Sequence, residues 1–486
     1  MTVPAMTVPV TTVEPPGPAA LLGSNPRRRR QASAVRYLAG FACAALGLRI
    51  QRSIGLSTGF LAVVGLLPLW LPALDRYRGA RLLAGLVVAA LLSGTYLSMF
   101  STTHEVLPRN AMETGVLVFT AFGGVGLLLW ARLHLPVPTV AMYYAGGLLL
   151  SGLRASPGSA NPWKYELSLP VTIIAFALVA RVNDPHRRRL ALVGVVFGMV
   201  AVDLSFDCRS HLAFVLIAAA LSQLFERRSR RATAGRLRGW RVLAIPAVLV
   251  IVVYLGGSSL LLSGAAGAGL QAQAKAQVAN GGSLIAGGRP EWYATQALMR
   301  HHISGFGFGA RPLPSDVWLA KQSLSGVGVT FNSGYVEKYM FGGRFKLHST
   351  LADLWSNCGL VGLLLGAVCG VLLLGALAAQ LDGARPAALL VFVIVEGLWN
   401  LPFGPIFTNL PDIALALGLA LALRQELHPA RGRQLEDSTP APEPAEARPF
   451  DRTVPLPRDS TWQPARRKRV RHRSTGRGRV LDTIPR

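Results

Sequence analysis

The sequence predicts an all-α polytopic membrane protein, and three observations carry that prediction. First, the 486 residues are 51% hydrophobic and only 15% charged, where a soluble chain carries about 25% charged residues; the mean hydropathy is +0.39. Second, apolar runs of spanning length lie between short clusters of charge. A helix needs about 20 apolar residues to cross a hydrocarbon core of about 30 Å, and the runs 82–100, 242–262 and 359–379 meet that requirement. They are too long and too uniformly apolar for barrel strands. Third, the formal charge of +26 is almost all arginine, and the arginines fall in alternate turns.

Residues 1–32 are rich in Pro, Thr, Val and Ala, end in a run of arginines, and are expected to be a disordered cytoplasmic N-terminus. The apolar run that follows is read as a first retained span, because the basic block lies far from the start and more spans follow. The pattern then gives spans at 33–48, 54–74, 82–100, 113–130, 137–153, 169–182, 190–206, 211–225 and 242–262. Three more follow at 359–379, 386–400 and 409–423, for a total of about twelve. With the N-terminus inside, Arg76, Arg78, Arg81, Arg132, Arg181, Arg187 to Arg189, the arginines between 227 and 241, and Arg385 all become cytoplasmic. The region 33–262 is thus a first helical block and 359–423 a second. Between them 263–358 is one large extracytoplasmic loop, far longer than an ordinary connection. Within it 271–280 and 291–302 read as helices. The tail 424–486 is rich in Pro, Arg and Glu and reads as disordered and cytoplasmic; its RRKRVRHR block is either solvated or in contact with anionic headgroups.

A sequence pI of 11.2 also suits nucleic-acid binding, but arginine segregated into alternate loops is the positive-inside pattern, so no nucleic-acid partner is expected. The four cysteines form no CxxC pair, which supports neither a zinc site nor a thioredoxin-like motif. Cys43 and Cys369 fall inside apolar runs, whereas Cys208 and Cys358 fall at outer helix ends. A bridge between those two would tie the outer layer together and requires their Cα atoms within about 7 Å. No Walker loop, HExxH or outer-loop DxD pair is present, so no cofactor and no metal are expected.

The densest polar chemistry lies in the outer loop. The stretch 287–309 combines Arg289, Glu291, Trp292, Arg300, His301 and His302, and ends in GFGFG. That ending reads either as a phosphate-cradling glycine loop, without the βαβ context such loops need, or as a flexible turn closing a helix. His348 stands just before the run at Gly359. An imidazole there either takes a proton from a hydroxyl near neutral pH or is simply a solvated interfacial histidine. Arg209 opens a helix in a short outer turn, where its guanidinium either binds a phosphate or pairs with Asp203 or Asp207. Glu396 and Asp412 lie within apolar runs, and such groups face a protein interior or wet cavity, or pair with an arginine.

Three features in order resemble the family of O-antigen ligases and Wzy O-antigen polymerases, bacterial envelope glycosyltransferases. They are Arg209-Ser210 at a helix start; Gly288-Arg289 with Trp292 and the Gly305 to Gly309 turn; and His348, Ser349 and Leu351 ahead of Gly359 and Gly362. The resemblance covers about 202–381 and implies a GT-C-like fold in the bacterial plasma membrane, with both termini cytoplasmic. It implies metal-independent, inverting transfer or polymerisation of a polyprenyl-diphosphate-linked glycan onto a glycan or other hydroxyl acceptor at the outer face. By carry-over His348 would be the catalytic base, and Arg209 and Arg289 would bind the diphosphate. Arg300, His301 and His302 are further substrate-binding candidates, with the two histidines as reserve bases. Many members carry Asn after the histidine, where this chain has Ser349. The competing expectation is a transporter or flippase for a lipid-linked or anionic solute. It would place its polar groups near the bilayer midplane on broken helices, whereas here they cluster at outer helix ends.

Overall fold

A computed structural model of the chain describes residues 26–49, 56–230, 239–325 apart from short gaps at 266, 282–283, 285–286, 288 and 290, 334–382, and 387–424. Residues 1–25, the arginines from 231 to 238, Gly288, Arg385 and the basic tail from 425 onward lie outside the described residues. Among the described residues the structure is helical, with only two isolated β-bridges.

Each expected span folds as helix. They are α1 (Pro26–Gly47), α2 (Thr58–Gly65), α3 (Leu67–Arg76), α4 (Ala80–Met99), α5 (Pro108–Ala131), α6 (Val137–Ala155), α7 (Ser168–Ala180), α8 (Pro185–Ser205), α9 (Arg209–Arg230) and α10 (Ala244–Ser263). After the loop helices α11 (Ala268–Gly281), α12 (Glu291–His301) and α13 (Pro314–Ser325) come α14 (Thr350–Asp382), α15 (Ala388–Phe403) and α16 (Ile406–Ala420). Among the described residues five helices are long and apolar enough to cross a membrane, or six if the bent pair α2–α3 is one span. This is fewer than the twelve the hydropathy pattern predicts. The expected span at 54–74 is broken by a 61° bend between Gly65 and Leu67, where Pro68 enters the next helix at its first turn. Helices α15 and α16 are apolar but only 16 and 15 residues long.

Two expected boundaries are corrected. Helix α1 begins at Pro26, so residues 26–32 are helical; arginine is a good helix former and extends the apolar helix backward. Helix α14 begins at Thr350, so the outer loop ends before Cys358. Gly359, read as a helix start, is a kink inside that helix, at φ 65° and ψ −152°, a conformation open to glycine alone.

Burial orders the bundle. Helix α5 is its axis: 72% of its spanning window is buried, and Ala121 through Ala131 are buried all round. Helix α10 is peripheral, with 6% of its window buried and Val248, Ile251, Val252 and Leu255 facing outward. Apolar all round and unburied by protein, α10 suits lipid. The principal packing pairs are α1 with α6, α4 with α14, α5 with α16, and α15 with α9, α14 and α16.

Long-range hydrogen bonds define two ends. At one, Tyr77 bridges Leu423 and Arg132 donates to the Gly418 and Leu421 carbonyls. At the other, Leu107 N donates to Gly309 O, Asn110 to Gly343 O, and Thr350 to Gly404 O. The loop layer at this second end has its own apolar core, which includes Leu298, Phe306, Leu324, Met340, Phe345 and Trp355. Phe306 stacks on Phe345 with centroids 4.1 Å apart.

The GFGFG segment is neither a phosphate cradle nor a flexible turn. Gly305, Gly307 and Gly309 all have positive φ. A Cβ on Gly307 would stand 2.6 Å from Ser98 N, and one on Gly305 would stand 2.4 Å from Trp355 O. The amides of Phe306 and Gly307 donate to Ser356 O, and that of Phe308 donates to Gly94 O. The segment is therefore a wedge between α4, α5 and α14 whose donors are committed to protein carbonyls.

Candidate functional site

The segment 344–348 reads Arg-Phe-Lys-Leu-His, has no helix or strand, and alternates between partly buried and buried residues. Phe345 and Leu347 are buried in the loop core, while Arg344, Lys346 and His348 line a cavity of about 550 Å³. From α5 the cavity takes Glu113, Leu117, Thr120, Ala121, Gly124 and Leu128. These share one face, and at 1.5 Å per residue they run about 22 Å down the helix. Leu46 of α1, Arg49 just beyond it, Tyr144 of α6, and Phe407, Pro411 and Ala414 of α16 close the other sides.

His348 is held by its neighbours rather than by its own preference. Its φ is 53°, a left-handed conformation that costs a non-glycine residue about 1–2 kcal/mol. Asp353, fully buried one turn into α14, accepts from Leu347 N at 2.7 Å and from Ile406 N at 3.0 Å. It therefore clamps the residue before His348 to the start of α16. Ser349 caps α14 by accepting from Ala352 N at 3.3 Å, and its hydroxyl donates to Leu401 O. The departure from Asn at this position thus leaves a helix cap. The imidazole Nδ1 donates to Lys346 O at 3.0 Å. A carbonyl can only accept, so in the neutral ring Nε2 carries the lone pair.

Most cations on the lining are already matched. Arg344 pairs with Glu113 at 2.9 Å, bonds Asn110, and stacks 4.8 Å from the Phe407 ring centroid. Arg49 pairs with Asp412 and donates to Thr408 O and the Tyr144 hydroxyl. Lys346 has no anionic partner among the described residues. An anion entering the cavity meets that ammonium unopposed, with two guanidinium groups on the same lining.

None of the other expected binding residues lines this cavity. Arg209 pairs with Asp207 at 2.8 Å and donates to Gln273 of α11 at 2.6 Å. Asp203, its other possible partner, is taken by His211 Nδ1 at 2.8 Å and Trp163 Nε1 at 2.7 Å. Arg209 is thus held by Asp207 and Gln273 and does not share the cavity lined by His348. Arg300 and His301 are exposed, and His301 Nδ1 donates back to Ala297 O within its own helix. His302 faces Asp316 at 3.6 Å, while His104 binds the other Asp316 oxygen at 3.0 Å. That cluster joins the turn before α5 to α13. Arg289 lies closer to the cavity: its guanidinium is 6.0 Å from the Phe403 ring, and Trp292 donates to Pro402 O at 3.2 Å.

Burial, then the nearby Glu291 carboxylate, push the Tyr335 phenol up from its ordinary pKa. Tyr335 therefore stays protonated and donates to Glu291 Oε1. Its ring lies 6.2 Å from that of His348 at 27°. All four cysteines are buried and free, so Cys208 and Cys358 are not bridged.

Sequence reasoning missed Arg49, Arg344 and Lys346. The alternation around His348 was a usable signal for the last two; Arg49 gave none, because its partner Asp412 lies 363 residues away. No protein-family model matches the chain, and no curated protein matches it.

Proposed function

We propose that the protein is a membrane glycosyltransferase that uses a glycan carried on a polyprenyl diphosphate, and that His348 is its base. The observation that carries this reading is the cationic face of segment 344–348 on the cavity wall, with His348 Nε2 left free by the Nδ1 bond to Lys346 O. In the proposed step an acceptor hydroxyl gives its proton to Nε2 while its oxygen attacks the anomeric carbon from the face opposite the leaving group. The bond from that carbon to the diphosphate oxygen breaks, and the electron pair leaves with the polyprenyl diphosphate. Lys346, Arg344 and Arg49 stabilise the charge that develops there, as fixed cations in a water-poor site do. Attack from the opposite face inverts the anomeric configuration, and no metal is assigned to the step. In this reading the site faces the extracytoplasmic side of a bacterial plasma membrane, both termini are cytoplasmic, and the sugars belong to an envelope polysaccharide.

The partly buried Arg49–Asp412 pair, set between α1, α6 and α16, favours the competing transporter or flippase. One experiment separates the two. Purified protein in proteoliposomes is given a synthetic polyprenyl-diphosphate oligosaccharide and a hydroxyl acceptor. Glycan transfer and lipid translocation are then scored independently. His348→Ala lowers transfer by about 10²–10⁴-fold while the protein stays in the membrane. Undiminished transfer by that variant at normal expression removes His348 from the mechanism, and translocation without transfer by the wild type selects the transporter.

A further inference from the structure

Beside His348 the chain builds a row of near-parallel rings. Tyr335 stacks on His348, 6.2 Å away at 27°, and on Tyr339, 5.7 Å away at 28°. Tyr335 and Tyr339 stand four residues apart on the π-helical turn Tyr335–Met340, a spacing that puts both rings on one face of the turn. Tyr335 is fixed at its hydroxyl by Glu291. Tyr339 closes the row on the open side: it is 63% exposed, it lines the cavity, and its hydroxyl has no partner among the described residues. A flat apolar face bearing an unused hydroxyl, exposed at the mouth of a charged cavity, is poorly matched to water.

We infer that Tyr339 is a stacking platform for a pyranose ring of the acceptor glycan. This rests on the proposed transferase reading, because it is the acceptor hydroxyl that must reach His348 Nε2. Proton transfer requires that hydroxyl within about 3 Å of the nitrogen, so the sugar bearing it, or the next in the chain, lies over the adjoining surface. Along the ring row that surface is Tyr339. The axial C–H bonds of a pyranose form an apolar face that packs on an aromatic ring, while its equatorial hydroxyls stay at the rim. Tyr339 and Lys346 both line the cavity, so a phenol hydroxyl and an ammonium are available to that rim. The platform selects sugars with an uninterrupted C–H face and sets the distance from sugar to base. It leaves the diphosphate to the cations.

Saturation-transfer NMR on the full chain in lipid nanodiscs tests this, with empty nanodiscs as control. The probes are the methyl pyranosides of glucose, galactose, mannose, rhamnose and N-acetylglucosamine. The expected result is saturation of ring C–H protons for at least one probe. Affinity for that probe falls about tenfold in Tyr339→Leu and is kept in Tyr339→Phe. Unchanged affinity in Tyr339→Leu overturns the inference; that is the outcome if Tyr339 only anchors the loop at the bilayer interface. Equal loss in the Leu and Phe variants, or no probe bound by the wild type, also overturns it. His348→Ala keeps the saturation. A wild-type protein that binds sugar through Tyr339 yet never transfers it sinks the transferase reading and leaves the platform standing.

Discussion

Replacing Asp353 with alanine removes both acceptors that hold the backbone around His348. Leu347 N and Ile406 N lose their partners at 2.7 and 3.0 Å, and both residues are fully buried. Each orphaned buried N–H costs about 1–3 kcal/mol, so the pair costs about 2–6 kcal/mol. Asp353→Asn keeps one acceptor and turns an amide N–H₂ toward the other donor, so it costs about half as much. The clamp also offsets the left-handed φ of 53° at His348, worth about 1–2 kcal/mol; without it the residue relaxes and its ring leaves the cavity wall. The four buried, free cysteines make a thiol-reactive dye a suitable reporter of unfolding in detergent. The expected order of melting is wild type, then Asn, then Ala. Glycan transfer falls through kcat with KM nearly unchanged, because the clamp orders the base rather than touching the substrate. An Asp353→Ala protein that melts with the wild type and keeps its kcat refutes the reasoning.

Three further outcomes follow from other parts of the molecule. Gly307→Ala forces a Cβ to within 2.6 Å of Ser98 N at a φ of 92°. It should destabilise the protein by about 2–5 kcal/mol in the same dye assay, as left-handed strain and overpacking combine; a neutral effect would show that the wedge yields. In the loop layer, burial outweighs the pull of Asp316 and lowers the pKa of His302, while His104 and His301 lower it further. Burial raises the Asp316 carboxyl, but the His104 hydrogen bond and Leu313 N–H more than reverse this and leave it below its ordinary value. Below about pH 6.5 the unfolded chain then binds a proton that folded His302 resists, so stability falls with falling pH, and falls again as Asp316 protonates below its ordinary range of about 3.9. Amide protection factors in α12 and α13, taken relative to the intrinsic exchange rate at each pH, should fall on acidification from pH 7 to 5, and His302→Gln should flatten that response; an identical response in the variant would assign it elsewhere. Denatured, unreduced protein should show as many free thiols as reduced protein, namely four, whereas a count of two would restore the bridge between Cys208 and Cys358. In the native fold, burial and then the Asp203 charge push the Cys208 thiol up to about 11, so it labels slowly.

Much of the fold was legible in the sequence because the properties concerned are local. Apolar runs between arginine clusters marked a helix at each expected span, and the loop stretches 271–280 and 291–302 fall on α11 and α12. The turns grouped by their arginines, around Tyr77, Arg132 and Leu423, do meet at one end. The boundaries at 26 and 350 were missed, because a basic run and a capped polar segment continue a helix without changing its hydropathy. Of the residues singled out as candidate base or substrate ligands, His348 alone lines the cavity. The resemblance that pointed to His348 also pointed to Arg209, which bonds Asp207 two residues away and does not line the cavity.

What the sequence determined by itself was composition and period: helices long and apolar enough for a membrane, and cations kept to particular turns. Those features follow from burial and solvation along a single stretch of chain. Tertiary structure decided which cation is left without a counter-charge. It brought Asp412 to Arg49, Glu113 to Arg344 and Asp353 to both Leu347 and Ile406, and left Lys346 beside His348 on an open cavity. Charge balance at a site is a sum over neighbours in space, and those neighbours lie up to 363 residues apart in the chain.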